Sequence, residues 1–341
     1  MPSGDKNKKQ FKLLRWLIPF LISLAGILFV YRQINSEQLS VAFSKLESGT
    51  IVKMLFFFVI GQLFRALSLK IILGTNFSFK AAFFSMNAGY LLNNVLPFRI
   101  GEIGRSLLLT GEGKDRGRFM EIFGAVITER VWDVFLAASF FLLTLPLVVK
   151  NEQLRLAALI AFGLTFLFMI TAAVASAHLE KIDQTLKKVV PQNTLLQEKI
   201  FPKLLNLLES FSLFRQPSRF LFGFGALMIS WFFAMAEMHM LQQALIPRAS
   251  WWWTAFAISA SAFVMALPSA PAGIGVYEAA TVSAYSLLGV DAGAALTIAL
   301  ILHVSQVVLS SGLGLAGVYI LGGNLNDLIK RATRRTDGGE A

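Results

Sequence analysis

Six stretches of this chain stay apolar for about 20 residues or more, and that length limits the fold more than any other feature. They lie at residues 13–31, 51–73, 119–149, 154–177, 220–246 and 292–321. An α-helix rises about 1.5 Å per residue, so about 20 apolar residues carry the backbone across a bilayer with its hydrogen bonds satisfied. A soluble fold has too little polar surface to cover them. Hydrophobic residues make up 55% of the chain and charged residues 15%, against about 45–50% and about 25% in soluble domains. The expected class is an all-α polytopic membrane protein with about six full spans. They form one transmembrane domain over residues 1–341, with a basic loop at 178–219 and a tail at 322–341.

Two further apolar segments are interrupted. After residues 81–92 the chain reads NNVLPFRIGEIGRSLLL across residues 93–109, and after residues 254–267 it reads PSAPAGIGVYE across residues 268–278. Pro removes a backbone donor and Gly loosens the helix, so Asn93, Asn94, Pro97 and Gly101 are expected to break the first segment. Pro271, Gly273 and Gly275 are expected to break the second. The flanks are too short to cross alone, which predicts two re-entrant half-helix hairpins. Pro97 precedes Gly101 by the same interval that separates Pro271 from Gly275, with Glu102 and Glu278 just beyond. This hints at an inverted repeat, the layout in which opposed broken helices meet near the bilayer midplane.

Charge sets the expected orientation. The net charge is +11, which in a soluble protein would point to nucleic acid. Here the basic residues gather in alternate loops: Lys6, Lys8, Lys9, Lys12 and Arg15 before the first span, then Lys114, Arg116 and Arg118, then the 178–219 loop, then Lys330, Arg331, Arg334 and Arg335. The other set of loops holds only Arg32, Lys45, Lys53, Lys150, Arg155 and Arg248. By the positive-inside rule both termini are cytoplasmic, and the two hairpins enter from opposite faces. The first span then reads as a retained signal anchor, because no small-residue cleavage site follows it. The 178–219 loop reads as a surface drawn to anionic headgroups. No nucleic-acid partner is implied. The absence of Cys and the spacing of the three His exclude thiolate chemistry and the usual metal sites, so no metal or other cofactor is expected.

The costly residues are those at membrane depth, where each charge costs roughly 2.5–3.5 kcal/mol on insertion scales. Arg99, Arg105 and Arg130 stand beside Glu102, Glu129 and Asp133. The plain reading is a buried network that fixes helix packing. The sharper one is a substrate pocket of Arg99, Arg105, Glu102, Asn93, Asn94 and Glu278, in which the two arginines grip a phosphate through their forked donors. Glu129, Arg130 and Asp133 would form a supporting polar network, which Arg65 either joins or leaves by snorkelling. Glu237 and His239 read as packing or rim residues, and His303 as a hydrogen-bonded core residue.

The stretches NNVLPFRIGEIGRSLLL, TERVWDVFLA and LPSAPAGIGVYEAATVSAYSLLGV resemble, in order, the signature stretches of the lysylphosphatidylglycerol synthase transmembrane-region family, the flippase-like membrane proteins. The resemblance covers essentially the whole chain. It places family motifs on Asn93, Asn94, Pro97, Gly101, Glu102 and Arg105, on Glu129, Arg130 and Asp133, and on Pro271, Gly273, Gly275 and Glu278. It implies a multi-pass protein of a bacterial-type plasma membrane that moves an anionic phospholipid or lipid-linked intermediate between leaflets. Multidomain members of the family add a soluble aminoacyl-transferase domain. The residues after Leu321 are expected to be too few for one, so the expectation leans away from an enzyme. Two other readings stay open: a membrane-embedded lipid or glycosyl transferase, and a non-transporting subunit of a partner lipid enzyme. A homo-oligomer is compatible with all three.

Overall fold

A computed structural model describes residues 17, 19–32, 36–96, 99–111, 116–178, 184, 216–265 and 269–336. These form helices joined by short turns, with no strand among the described residues. In chain order they are α1 (Pro19–Arg32), α2 (Ser36–Ser44), α3 (Ser48–Leu73), α4 (Phe79–Val95), α5 (Gly101–Thr110), α6 (Arg116–Val148), α7 (Glu152–Ala177), α8 (Pro217–Leu245), α9 (Trp251–Val264), α10 (Val276–Leu287), α11 (Ala292–Ile320) and α12 (Leu325–Thr336). A one-turn 3-10 helix, Pro271–Gly273, lies between α9 and α10.

Five of the expected spans are helices long and apolar enough to cross a membrane: α3, α6, α7, α8 and α11. The first span is seen from Pro19 onward as a shorter apolar helix, and its N-terminal part lies outside the described residues. So does nearly all of the predicted 178–219 loop. Side-chain oxygens set several helix starts. Ser78 accepts from the Ala81 amide before α4, Asn151 from the Gln153 and Leu154 amides before α7, and Asp291 from the Ala294 amide before α11. The first break falls later than the sequence suggested. Asn93 and Asn94 lie inside the last turn of α4, because their side chains find partners elsewhere instead of competing for the local backbone. Pro97 itself lies outside the described residues.

The packing has a two-part plan. Helix α3 runs antiparallel to α8. Arg219 at the start of α8 donates to the carbonyls of Ile71 and Ile72 at the end of α3, Ser68 bonds the Gly223 carbonyl, and Gly61 lies against Ser230 and Phe233. Helix α4 packs on α11, as α9 packs on α6. Helix α5 packs on α6, as α10 packs on α11, and α3 meets α4 as α8 meets α9. The units α3–α6 and α8–α11 therefore make the same contacts in the same order, each completing its own hairpin and crossing to the other. The antiparallel pairings fix direction: α4 and α9 run opposite ways, so the hairpin tips point toward each other from opposite sides.

Small residues allow this closeness, as they do where helices meet in lipid without a hydrophobic driving force between them. A Cβ on Gly101 would run into the Gly89 carbonyl and the Asn93 side chain, and one on Gly314 would run into the Asn87 backbone. The terminal helices cover one hairpin each. Ser23 of α1 accepts from the Ala270 amide in the second hairpin. Helix α12 lays Leu325, Leu328 and Ile329 against Leu92, Leu96 and Leu107 of the first. By contrast α7 packs chiefly on α6, and only 11% of its most apolar window is buried, against half of that in α11. Most of its surface is left uncovered by the other described helices.

Candidate functional site

The two hairpin tips and the four long helices α3, α6, α8 and α11 line a half-open cavity of about 440 Å³. Leu96, Arg99 and Glu102 reach it from the first hairpin, and Ser269, Ala270 and Gly273 from the second. Its wall carries ion-paired side chains on the side of the first hairpin.

That side holds a chain of ion pairs. Arg65 of α3 grips Asp133 of α6 with both terminal nitrogens, at 2.7 and 2.6 Å, and lies 3.4 Å from Glu129. Arg105 of α5 meets the other Glu129 oxygen at 2.8 Å. Arg130 lies 3.0 Å from Glu102 and 3.2 Å from Asp133, and sits over the Tyr90 ring. The indole of Trp231 on α8 donates to Asp133 at 3.0 Å. Each acid has at least one arginine, which is what a buried charge needs if it is to stay ionised. Arg99 differs. It lines the cavity, has no ion-pair partner among the described residues, and takes a positive φ of 51° at the turn into α5. Four arginines thus face three carboxylates, and the surplus positive charge points at the open space.

The expected residues divide between wall and scaffold. Arg99, Glu102, Asn93, Asn94, Arg65, Arg130 and Asp133 line the cavity. Arg105 and Glu129 lie behind them, 1% and 0% exposed, and lock α5 to α6. Asn93 accepts from the Gly101 amide at 2.7 Å and so caps α5 from the end of α4. Asn94 donates to Ser310 and Ser311 of α11. Glu278 stands off the cavity: it caps its own helix through the Gly275 amide at 2.7 Å and pairs with His303 Nδ1 at 2.6 Å. His303 Nε2 reaches the Ala272 carbonyl at 2.9 Å, where Ala272 has a φ of 59°. That pair ties the second hairpin tip to α11.

Gln62, Tyr277 and Gln306 line the cavity and are not singled out in the sequence, whereas Glu237 and His303 read there only as a packing or rim residue and a hydrogen-bonded core residue. Glu237, Tyr277, Gln306 and His303 come from the second half, and Gln62 from α3. Glu237 and His303 were visible as lone polar residues in apolar helices, the signal that could have promoted them. Nothing in spacing revealed that α8 and α11 turn those faces to one space.

A family profile described as the lysylphosphatidylglycerol synthase TM region matches residues 16–314. The chain belongs to that family. It is a multi-pass membrane protein related to lipid handling. No match was found among curated proteins or among solved structures.

Proposed function

We propose that the chain is a flippase-like translocator, which passes the headgroup of an anionic phospholipid or lipid-linked intermediate through the cavity between its two halves. The observation that carries this is Arg99, a cation without an ionic partner among the described residues, aimed into a cavity that both opposed hairpin tips reach. A guanidinium offers a phosphate two parallel hydrogen bonds, and a lipid phosphate carries the charge that the cluster lacks. Glu102, Asn93 and Asn94 shape the rim of this site. Arg105 and the Glu129–Arg130–Asp133–Arg65 network hold it in place. The acyl chains stay in the bilayer while the headgroup moves.

The membrane in this reading is a bacterial-type plasma membrane, with both termini cytoplasmic. The native chain has no Cys, so single cysteines report topology cleanly. Cysteines replacing Asn76 and Gly111 should label from one face, and cysteines replacing Ser250 and Gly289 from the other. A pair that splits between faces contradicts the hairpin arrangement. Transport itself is tested in proteoliposomes by dithionite quenching of fluorescent lipids. Anionic phosphatidylglycerol should lose its protected inner-leaflet fraction faster than in protein-free vesicles, and faster than zwitterionic phosphatidylcholine does. Equal protection with and without protein would refute translocation and favour a lipid-enzyme subunit or a transferase.

A further inference from the structure

The second side of the cavity carries a carboxyl group that the phosphate site does not use. Glu237 lies in α8, is 2% exposed, lines the cavity, and its Oε1 is buried with no hydrogen-bond partner. Its hydrogen-bonding neighbour is the side chain of Gln306 on α11. The cavity arginines on the helices packed around α8 are otherwise occupied. Arg65 of α3 is held by Asp133 and Glu129, and Arg130 of α6 by Glu102 and Asp133. Helix α9 contributes no titratable side chain. Tyr277 of α10 stands beside Glu237, and its ring lies 4.8 Å from that of His303 on α11. His303 is bound by Glu278 and the Ala272 carbonyl. Arg99 reaches the same cavity from the first hairpin but makes no ion pair with Glu237, which has no ion-pair partner among the described residues. An ionised carboxylate buried without a cation is so costly that such a group takes up a proton instead.

The His303 contacts also require a proton. A carbonyl can only accept, so Nε2 must carry hydrogen toward Ala272. The 2.6 Å contact of Nδ1 with Glu278 then needs a second hydrogen between them. The Glu278–His303 pair therefore holds one proton more than a neutral imidazole beside a carboxylate. Proton-carrying groups line the second half, while arginines line the first.

From this geometry we propose that Glu237 is a proton-binding site through which the translocator moves its anionic headgroup together with a proton. The proposal rests on the translocator reading and adds the coupling ion. The logic is electrostatic. A headgroup phosphate neutralises the surplus arginine charge. An ionised Glu237 in the same cavity would repel that phosphate, and a protonated one would not. Proton binding and phosphate binding therefore strengthen each other by the same factor, as linkage requires. Loaded with both, the cavity is neutral and crosses the low-dielectric midplane with the least penalty. Proton release to the opposite face would restore the repulsion and expel the headgroup.

Two measurements test this, and they fail differently. The first is an infrared difference spectrum of the full chain in lipid nanodiscs between neutral and alkaline pH. The wild type should show a buried carboxylic-acid carbonyl band that disappears on alkalinisation and is missing in Glu237→Gln. If the wild type lacks the band, or the Gln variant keeps it, Glu237 is not the proton site, whatever the transport result. The second compares phosphatidylglycerol translocation with and without an imposed pH gradient, the membrane potential being clamped. The wild-type rate should change several-fold. Glu237→Asp should keep the response and Glu237→Gln should lose it. Wild-type transport that ignores the gradient would overturn the coupling while leaving translocation intact. A complete lack of wild-type transport would instead refute the translocator reading on which the coupling depends.

Discussion

The two hairpins solve one mechanical problem with opposite chemistry. In each, a half-helix is tied to the long helix that follows it. In the first, Arg105 of α5 is paired with Glu129 of α6. In the second, Glu278 of α10 is paired with His303 of α11. The interval between Pro97 and Pro271 equals that between Gly101 and Gly275, and that between Glu129 and His303. The long-helix partners thus occupy matching places, but the base sits on the hairpin in one half and on the long helix in the other. Packing matches between the halves while charge differs. The first half gathers four arginines and three carboxylates, and the second holds protonatable groups in pairs or alone. A cavity between such halves is electrically lopsided, which gives a charged headgroup an end to bind and an end to leave.

Cutting the two ties in turn should give unequal losses. Arg105→Ala leaves Glu129 fully buried with only the longer Arg65 contact, and should lower stability by about 3–5 kcal/mol. The readout is the melting temperature or the folded yield in detergent. The matching cut, Glu278→Gln, removes a charge but leaves an amide able to bond, and should cost only about 1–2 kcal/mol. If the two variants are equally unstable, the halves do not differ as described.

A cycle at the cavity wall sharpens the picture further. Arg130→Ala strands Glu102 and weakens the hold on Asp133, so adding Glu102→Gln should recover about 0.5–3 kcal/mol of the loss. Strictly additive losses would mean that the pair at 3.0 Å contributes nothing. The smallest effect is expected for Asn94→Ala, which removes neutral bonds to Ser310 and Ser311 and should cost about 1 kcal/mol.

The sequence made some of this legible and hid the rest, for physical reasons. Long apolar runs announced the spans, because a bilayer demands length and apolarity that few other folds need. The Pro–Gly breaks announced both hairpins. The charged residues were visible as costly, but their direction was not. Arg105 read as a phosphate ligand, and its side chain turns instead to Glu129, since helical phase is set by a neighbouring helix that sequence does not locate. Asn93 and Asn94 read as breakers and are a cap and a clamp within an unbroken helix. Glu237 read only as a packing or rim residue, and Glu278 and His303 did not read as a pair, because single polar residues far apart in sequence show no pattern until α8, α10 and α11 are brought together.

Arg99 offers the most direct test, because stability and transport should respond to it in opposite senses. Its φ of 51° lies in the left-handed region, where a side chain costs roughly 1–2 kcal/mol relative to glycine. Arg99→Gly relieves that strain and breaks no described ion pair, so the variant should fold at least as well as the wild type. It also removes the free cation facing the cavity. At equal reconstituted amounts, the account predicts that Arg99→Gly keeps the wild-type melting temperature or exceeds it, while phosphatidylglycerol translocation falls to the rate of protein-free vesicles. Translocation at the wild-type rate by a well-folded Arg99→Gly protein would contradict the account.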